Sequence, residues 1–243
     1  MMIRRSYRYR FYPNQEQRIQ LAQTFGSCRF VYNWALRLRT DAYYQHQQKM
    51  SYLETSNQLT QLKKNPDFSW LKDVTAVPLQ QALRHLNTAF LNFFSGRAKY
   101  PRFKKKRNNQ SATYASNAFK WDGEKLTLAK MKSPLKLRWH RRFTGIPTTV
   151  TVSKDSANRY FVSFSVEEEI EQLPNTDEQV AIDLGIKDVI VSSKGFASGN
   201  PKYYQKYQKK LAIAHKRLAK KQKGSKNRDK ARLKVAKLRF FRT

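Results

Sequence analysis

Hydrophobic positions change period three times along the chain, and each change predicts a different kind of element. Ile3, Tyr7, Tyr9 and Phe11 alternate with Arg4, Ser6, Arg8 and Arg10, apart from a slip at Arg5. Residues 3–12 therefore predict a strand with one basic face. Pro13-Asn14 ends it, and Asn14 with Gln17 three residues on predicts a helix N-cap. From there to about Lys49 the spacing is helical, carried by Ile19, Ala22, Phe25, Cys28 and Tyr32, with Gly26 as a break or a close-packing point. Pro78 opens the cleanest helix: Leu79, Ala82, Leu83, Leu86, Phe90, Phe93 and Phe94 share one face, and Gly96 stands at C′.

The period then falls to two. Lys120-Trp121-Asp122-Gly123-Glu124 predicts a hairpin turn between short strands. Leu135, Leu137 and Trp139 alternate with Lys136, Arg138 and His140; 149–152 and 160–166 are further strands, joined by the turn Asp155-Ser156-Ala157-Asn158. Short strands on either side of a helical stretch predict a small β-barrel. Its first strand must pair beyond residue 118, so the helices between are an excursion.

After residue 178 a near-continuous apolar run appears, Val180-Ala181-Ile182-Asp183-Leu184-Gly185-Ile186, as for a strand covered on both faces. Residues 189–195 are its hairpin partner. Asn200-Pro201 opens a long basic helix in which Tyr204, Tyr207, Leu211, Ala214 and Leu218 keep a 3-4-3-4 spacing. Gly224-Ser225-Lys226-Asn227 breaks it. A second helix follows with Ala231, Val235 and Leu238, making a helical hairpin with a narrow apolar seam.

Charge changes this picture from a generic domain to a binder. Forty-nine Lys and Arg against 17 Asp and Glu give a net charge of +32 over 243 residues, which calls for a polyanionic partner, nucleic acid or an anionic membrane surface. No apolar run approaches a membrane span and no leader precedes the first strand, so a cytosolic, nucleoid-associated chain bound to nucleic acid is the expectation. A 40% apolar content supports a real core, and one cysteine excludes a disulfide framework or a Cys-rich zinc site in this chain. The cations cluster. Arg97, Lys99, Arg102, Lys104, Lys105, Lys106 and Arg107 sit mid-chain, while 203–243 holds sixteen Lys and Arg against Asp229 alone. Nine of the seventeen acids fall between Asp155 and Asp188. A boundary is expected at Leu173-Pro174-Asn175-Thr176.

Candidate phosphate-facing residues are Arg4, Arg8 and Arg10 on the first strand, the seven of the 97–107 cluster, and Lys206, Lys209, Lys210, Lys216, Arg217, Lys220, Lys221, Lys223, Lys226 and Arg228 on the helical hairpin. Tyr7, Tyr9, Tyr100, Phe103, Trp139, Tyr203 and Tyr204 interleave with charge; some could stack on unpaired bases, though core packing is the commoner fate of any one of them. His46, His85, His140 and His215 lack ligand spacing, and Cys28 reads as a small core residue. Asp183 is the sharpest single feature, because a carboxylate inside a buried strand needs a partner or a cation. A turn cap at Gly185 and a metal ligand are equal alternatives on the residues alone.

Four segments together resemble the TnpB/OrfB family of transposon-encoded proteins: Phe25-Gly26-Ser27-Cys28-Arg29-Phe30-Val31-Tyr32-Asn33-Trp34-Ala35-Leu36, Tyr100-Pro101-Arg102-Phe103-Lys104-Lys105-Lys106, Ala181-Ile182-Asp183-Leu184-Gly185-Ile186-Lys187, and the stretch from Asn200-Pro201 to Gly224-Ser225-Lys226-Asn227. Their order spans essentially the whole chain. The resemblance implies a compact RNA-guided DNA nuclease related to type V CRISPR effectors. It implies an α+β fold: a wedge-type β-barrel (1–12 and 97–173), a helical recognition insertion (13–96), and an RNase H-like RuvC domain, here partial (178–243), ending in the basic helical hairpin. It also implies guide-like RNA from the transposon end and DNA as partners, Mg²⁺ as cofactor, and Asp183 as the first catalytic, metal-binding carboxylate.

The sequence departs from that family where catalysis would be completed. After Asp183 only Asp188 and Asp229 are acidic, neither in the context of the family's later carboxylates, and the family's Cys-based zinc module has no counterpart. The chain also ends mid-pattern at Arg239-Phe240-Phe241-Arg242-Thr243. The expectation is a C-terminally truncated member that binds RNA and DNA, with cleavage lost or dependent on a complementing C-terminal polypeptide. A functionless remnant or a regulatory binding fragment of an insertion-sequence reading frame is the alternative.

Overall fold

The computed structural model describes residues 2–171 and 178–240, and within it two compact units, Met1–Ile170 and Glu171–Thr243. The expected boundary at 173–176 lies outside the described residues, as do residues 241–243.

In the first unit, alternation along β1 (Met2–Phe11) does what its period dictates: Tyr7, Tyr9 and Phe11 enter the core while Arg4, Ser6, Arg8 and Arg10 take the other face. α1 (Gln15–His46) follows. Its start is a reciprocal capping box in which Asn14 Oδ1 accepts from Gln17 N at 2.8 Å and Gln17 Oε1 accepts from Asn14 N at 3.1 Å. The helix runs unbroken through Gly26, where an added Cβ would meet nothing within 4 Å. Gly26 is thus neither the break nor the close-packing point its residue type suggested.

α2 (Tyr52–Leu62) opens on a second capping box, Ser51 with Glu54, a signal that sequence reading passed over. A short 3₁₀ segment, Pro66–Lys72, leads to α3 (Ala76–Phe94). Pro78 falls within the first turn of α3 rather than at its head, which is tolerated because that turn's N–H groups have no helical partner. Gly96 takes φ +72°, the left-handed conformation expected past a helix end.

The remaining strands are β2 (Gln110–Ala115), β3 (Phe119–Trp121), β4 (Leu126–Leu128), β5 (Leu137–Arg138), β6 (Pro147–Lys154) and β7 (Tyr160–Glu169). β3 and β4 form the predicted hairpin, with Asp122 Oδ1 accepting from Glu124 N and Lys125 N across the turn. The others build an antiparallel five-stranded sheet, order β2-β6-β7-β1-β5. β1 pairs with β7 from Met2↔Glu169 to Phe11↔Tyr160, so the first strand does close on strands far along the chain and the helices are an excursion. One continuous core joins sheet to helices; α1 and α3 pack on each other and both on β2.

The second unit departs from expectation. β8 is only Ile182–Asp183, paired with β9 (Val191–Ser192), and the apolar run around it is not covered. Ile182, Leu184 and Ile186 are 60%, 74% and 90% exposed. A strand is buried only by what packs on it, and the described residues of this unit hold no second layer over the ribbon. α4 (Tyr203–Ala219) starts after Lys202, because Asn200 is engaged elsewhere: its Nδ2 donates to Ile186 O and its Oδ1 accepts from Lys202 N. α4 and α5 (Lys226–Phe240) form the predicted hairpin, closed by Leu211, Ala214 and Val235 with Leu218 and Leu238 at the margin. Tyr204 is exposed, so the seam is shorter than its sequence spacing suggested.

Candidate nucleic-acid interface

The mid-chain cations occupy residues 96–109, a segment without helix or strand between α3 and β2. It is nonetheless fixed at several points. The Asn33 side chain clamps the Lys104 backbone on both sides: Nδ2 donates to Lys104 O at 3.0 Å and Oδ1 accepts from Lys104 N at 2.8 Å. Tyr100 packs edge-on against Phe90 and Phe93, and its hydroxyl meets Thr40 Oγ1 at 2.7 Å. Pro101 beside it is buried. At the far end Gln110 Nε2 donates to Lys105 O and Asn108 O, while Gln110 Oε1 accepts from Arg29 at 2.7 Å.

The Lys104 ammonium lies 4.1 Å from the centre of the Tyr32 ring. Loss of water around it holds its pKa below the ordinary lysine value, although the residue as a whole is exposed. Beneath it Cys28 donates to Pro78 O, and burial pushes its thiol up to about 12, the mark of an inert core cysteine. Arg97, Lys99, Arg102, Lys105, Lys106 and Arg107 are all exposed around this anchored frame. Among the aromatics, Phe103 is exposed and available for stacking, whereas Tyr100 is committed to the fold.

Sequence reasoning found the cations and missed the groups that hold them. Asn33, Thr40 and Gln110 carry no charge and so no compositional signal. Two of the four quoted segments nevertheless turn out to touch: the Asn33 and Tyr32 positions of the first hold the Lys104 position of the second. A groove of about 790 Å³ runs beside them, lined by Phe30, Trp34 and Phe103 together with Arg29 and Arg37.

Other candidates are less available than their charge suggested. Arg4 pairs with Glu167 at 3.2 Å, because the acidic end of β7 lies opposite β1. Arg8 lies over the Phe161 ring at 4.1 Å. Arg228 is structural: its guanidinium donates to Leu218 O at 3.2 Å and Lys221 O at 2.6 Å, tying α5 to the end of α4. Lys206, Lys209, Lys210, Lys216, Arg217, Lys220, Lys221, Lys223 and Lys226 form the cationic outside of the hairpin, with Lys210 over the Tyr207 ring.

Asp183 is exposed on β8, which removes the desolvation argument for its needing a partner, and it does not cap the turn at Gly185. Asp188 Oδ1 accepts from Gly199 N, and Asp229 pairs with Arg232 at the start of α5. No group of three or more His, Cys, Asp or Glu side chains comes together among the described residues. One exposed carboxylate is not a Mg²⁺ site, which takes several oxygen ligands, so the residues described do not fit a resident metal.

Residues 1–48 match a family model described as a helix-turn-helix domain, and residues 161–241 match one described as a probable transposase. A protein of Streptomyces pristinaespiralis with the provisional name RNA-guided DNA endonuclease is 47% identical over 239 residues, 97% of this chain and 60% of that one. InsQ of Escherichia coli (strain K12), provisionally named in the same way, is 31% identical over 236 residues, 96% of this chain and 58% of its own length. The chain thus spans about 60% of the length of these curated relatives. Among solved structures, a protein in a Cas12f1–sgRNA–target DNA complex is 11% identical with a TM-score of 0.47, covering 99% of this chain and 76% of that one. No helix among the described residues is long and apolar enough to cross a membrane. The segment matched as helix-turn-helix is here one strand and one uninterrupted 32-residue helix.

Proposed function

The chain belongs to the TnpB/OrfB family of insertion-sequence proteins, and on that premise we propose that it grips RNA and DNA without itself completing a nuclease centre. In this reading residues 1–12 and 97–173 act as the wedge-type barrel and 13–96 as the recognition insertion. Residues 178–243 correspond to the opening of the RuvC domain. Asp183 would stand as its first metal-binding carboxylate, to be completed by carboxylates supplied from elsewhere.

The observation that supports it is the anchored segment 96–109. Six exposed cations are presented on a backbone held by Asn33, Tyr100 and Gln110, so little ordering entropy remains to be lost when phosphates bind. Binding of labelled single-stranded RNA across a salt series tests it. Affinity should fall steeply with salt, by about 0.7 in log–log slope for each phosphate neutralised on a single strand. Replacing Lys105, Lys106 and Arg107 by Ala should reduce the slope by about 2 on the same scale. Affinity indifferent to salt would sink the reading. Added Mg²⁺ should produce no DNA cleavage by this chain alone.

The exposed apolar ribbon favours one elaboration, that a further polypeptide covers Ile182, Leu184 and Ile186. Adding a polypeptide that corresponds to the remaining part of the longer relatives should then quench binding of an apolar dye to this chain. An unchanged dye signal rejects it.

A further inference from the structure

A second basic site lies away from the segment 96–109, in a cavity of about 370 Å³ at the end of the sheet. Its walls combine the end of β1, the turn into α1 and the β6–β7 turn. Four of its lining side chains are cationic: Arg10, Arg18, Lys154 and Arg159. Asp155 offsets only one of them, bonding Arg159 at 2.6 Å while its other oxygen accepts from Ala157 N and Arg159 N. Arg18 donates its Nε to Pro13 O, a bond that orients the guanidinium, and no carboxylate pairs with it among the described residues. Three like charges therefore converge on one partly enclosed space, where they repel one another unless an anion lies between them.

A second observation points to an acceptor. Arg10 Nε is buried and has no hydrogen-bond partner among the described residues. A buried donor left unpaired is unfavourable, so Arg10 would gain from an acceptor placed at this end of the sheet. Tyr12 and Tyr160 flank the cavity, each under a cation: Arg10 lies 5.4 Å from the Tyr12 ring and Lys154 5.5 Å from the Tyr160 ring. Guanidinium groups backed by aromatic faces are suited to the planar, multi-donor recognition of phosphate oxygens.

We propose that this cavity is a dedicated phosphate-binding site that takes a backbone phosphate of the bound RNA, with Arg10, Arg18 and Lys154 as its donors. It rests on the RNA-binding reading above and adds a fixed point at which the strand is held. The site differs from the anchored segment in number and setting: there the cations are numerous and all exposed, here they are few, with Arg10 and Lys154 half-buried and Arg18 exposed at the cavity. Sequence reading named Arg10 but passed over Arg18 and Lys154, because each is isolated in the sequence and they meet only where β1 and β6 both pair with β7.

The test uses the full chain, the double variant Arg18→Gln/Lys154→Gln, and Lys106→Gln as a control outside the site. Two measurements are made: thermal stability in millimolar inorganic phosphate against chloride at matched ionic strength, and the salt slope of single-stranded RNA binding. The wild type and Lys106→Gln should be stabilised by phosphate, and the double variant should not be. The RNA slope should fall by about 0.7 for each phosphate that is no longer neutralised, in the double variant as in the control. Equal phosphate stabilisation of the double variant and the wild type overturns the site. Loss of phosphate stabilisation with an unchanged RNA slope overturns the RNA assignment and leaves a free phosphate as the ligand. Absence of RNA binding by the wild type would instead refute the broader reading, so the two failures are separable.

Discussion

The two units carry their positive charge on very different supports. The first sets it on a sheet and three helices that share one core, with Tyr9, Phe164, Leu83 and Leu86 essentially sealed from water. The second sets it on two helices whose seam is closed by Leu211, Ala214 and Val235, beside a ribbon whose apolar residues face solvent. Charge alone therefore does not distinguish a binding surface. What differs is whether the backbone beneath the charge is held, and residues 96–109 show that even a segment without regular structure is held when three uncharged side chains anchor it.

The largest expected effect tests the inequality of the two cores. Phe164→Ala should destabilise the first unit by about 3–5 kcal/mol, and Leu211→Ala the second by about 2 kcal/mol, at the low end for a leucine because its seam is narrow and can collapse. Urea unfolding followed by alkylation of Cys28 isolates the first unit, since that thiol is its buried reporter; with its pKa pushed up to about 12 it should react slowly at pH 8 until the unit opens. The raised pKa also makes stability of this unit fall as pH rises above about 9, where an unfolded thiol ionises and the native one does not. Equal shifts from both substitutions in the Cys28 readout would erase the distinction between the units.

A smaller effect is expected at Asn33. Asn33→Ala removes both bonds to Lys104 and no charge, so RNA affinity should drop about tenfold, roughly 1.4 kcal/mol, with the salt slope unchanged. A changed slope would mean that the clamp acts on charge placement and not on order.

Gly26→Ala should stabilise the first unit by about 0.5–1 kcal/mol, because the position is helical, open and free of any close neighbour. Destabilisation by calorimetry would show a neighbour that the fold does not reveal. The smallest effect belongs to Asp183→Ala, within about 0.5 kcal/mol, since an exposed carboxylate on a short ribbon gives up little. A large loss of stability would return Asp183 to a buried, partnered setting.

Much of the fold was legible in local pattern. The alternation of Tyr7, Tyr9 and Phe11, the Asn14 cap and the Asp122-Gly123 turn are decided by neighbours within a few residues and appear where the pattern put them; the helix face does so from Leu79 to Phe90 but not at Phe94, which is 72% exposed because the helix ends there. The candidate site was legible only as charge. Lys104, Lys105 and Lys106 could be read directly, but Asn33 and Gln110 could not, because an amide gains its role from what lies opposite it.

The sequence by itself determined the strands and helices of the first unit, their caps, the helical hairpin of the second and the excess of cations, since periodicity and capping are local and charge is additive. The tertiary structure decided which cations are free, which are spent on Glu167 or on the carbonyls after α4, and that Arg10, Arg18 and Lys154 share one cavity. It also decided that the run from Val180 to Ile186 is exposed. Burial and proximity depend on pairing across more than a hundred residues, and nothing in a local pattern states what will pack on it.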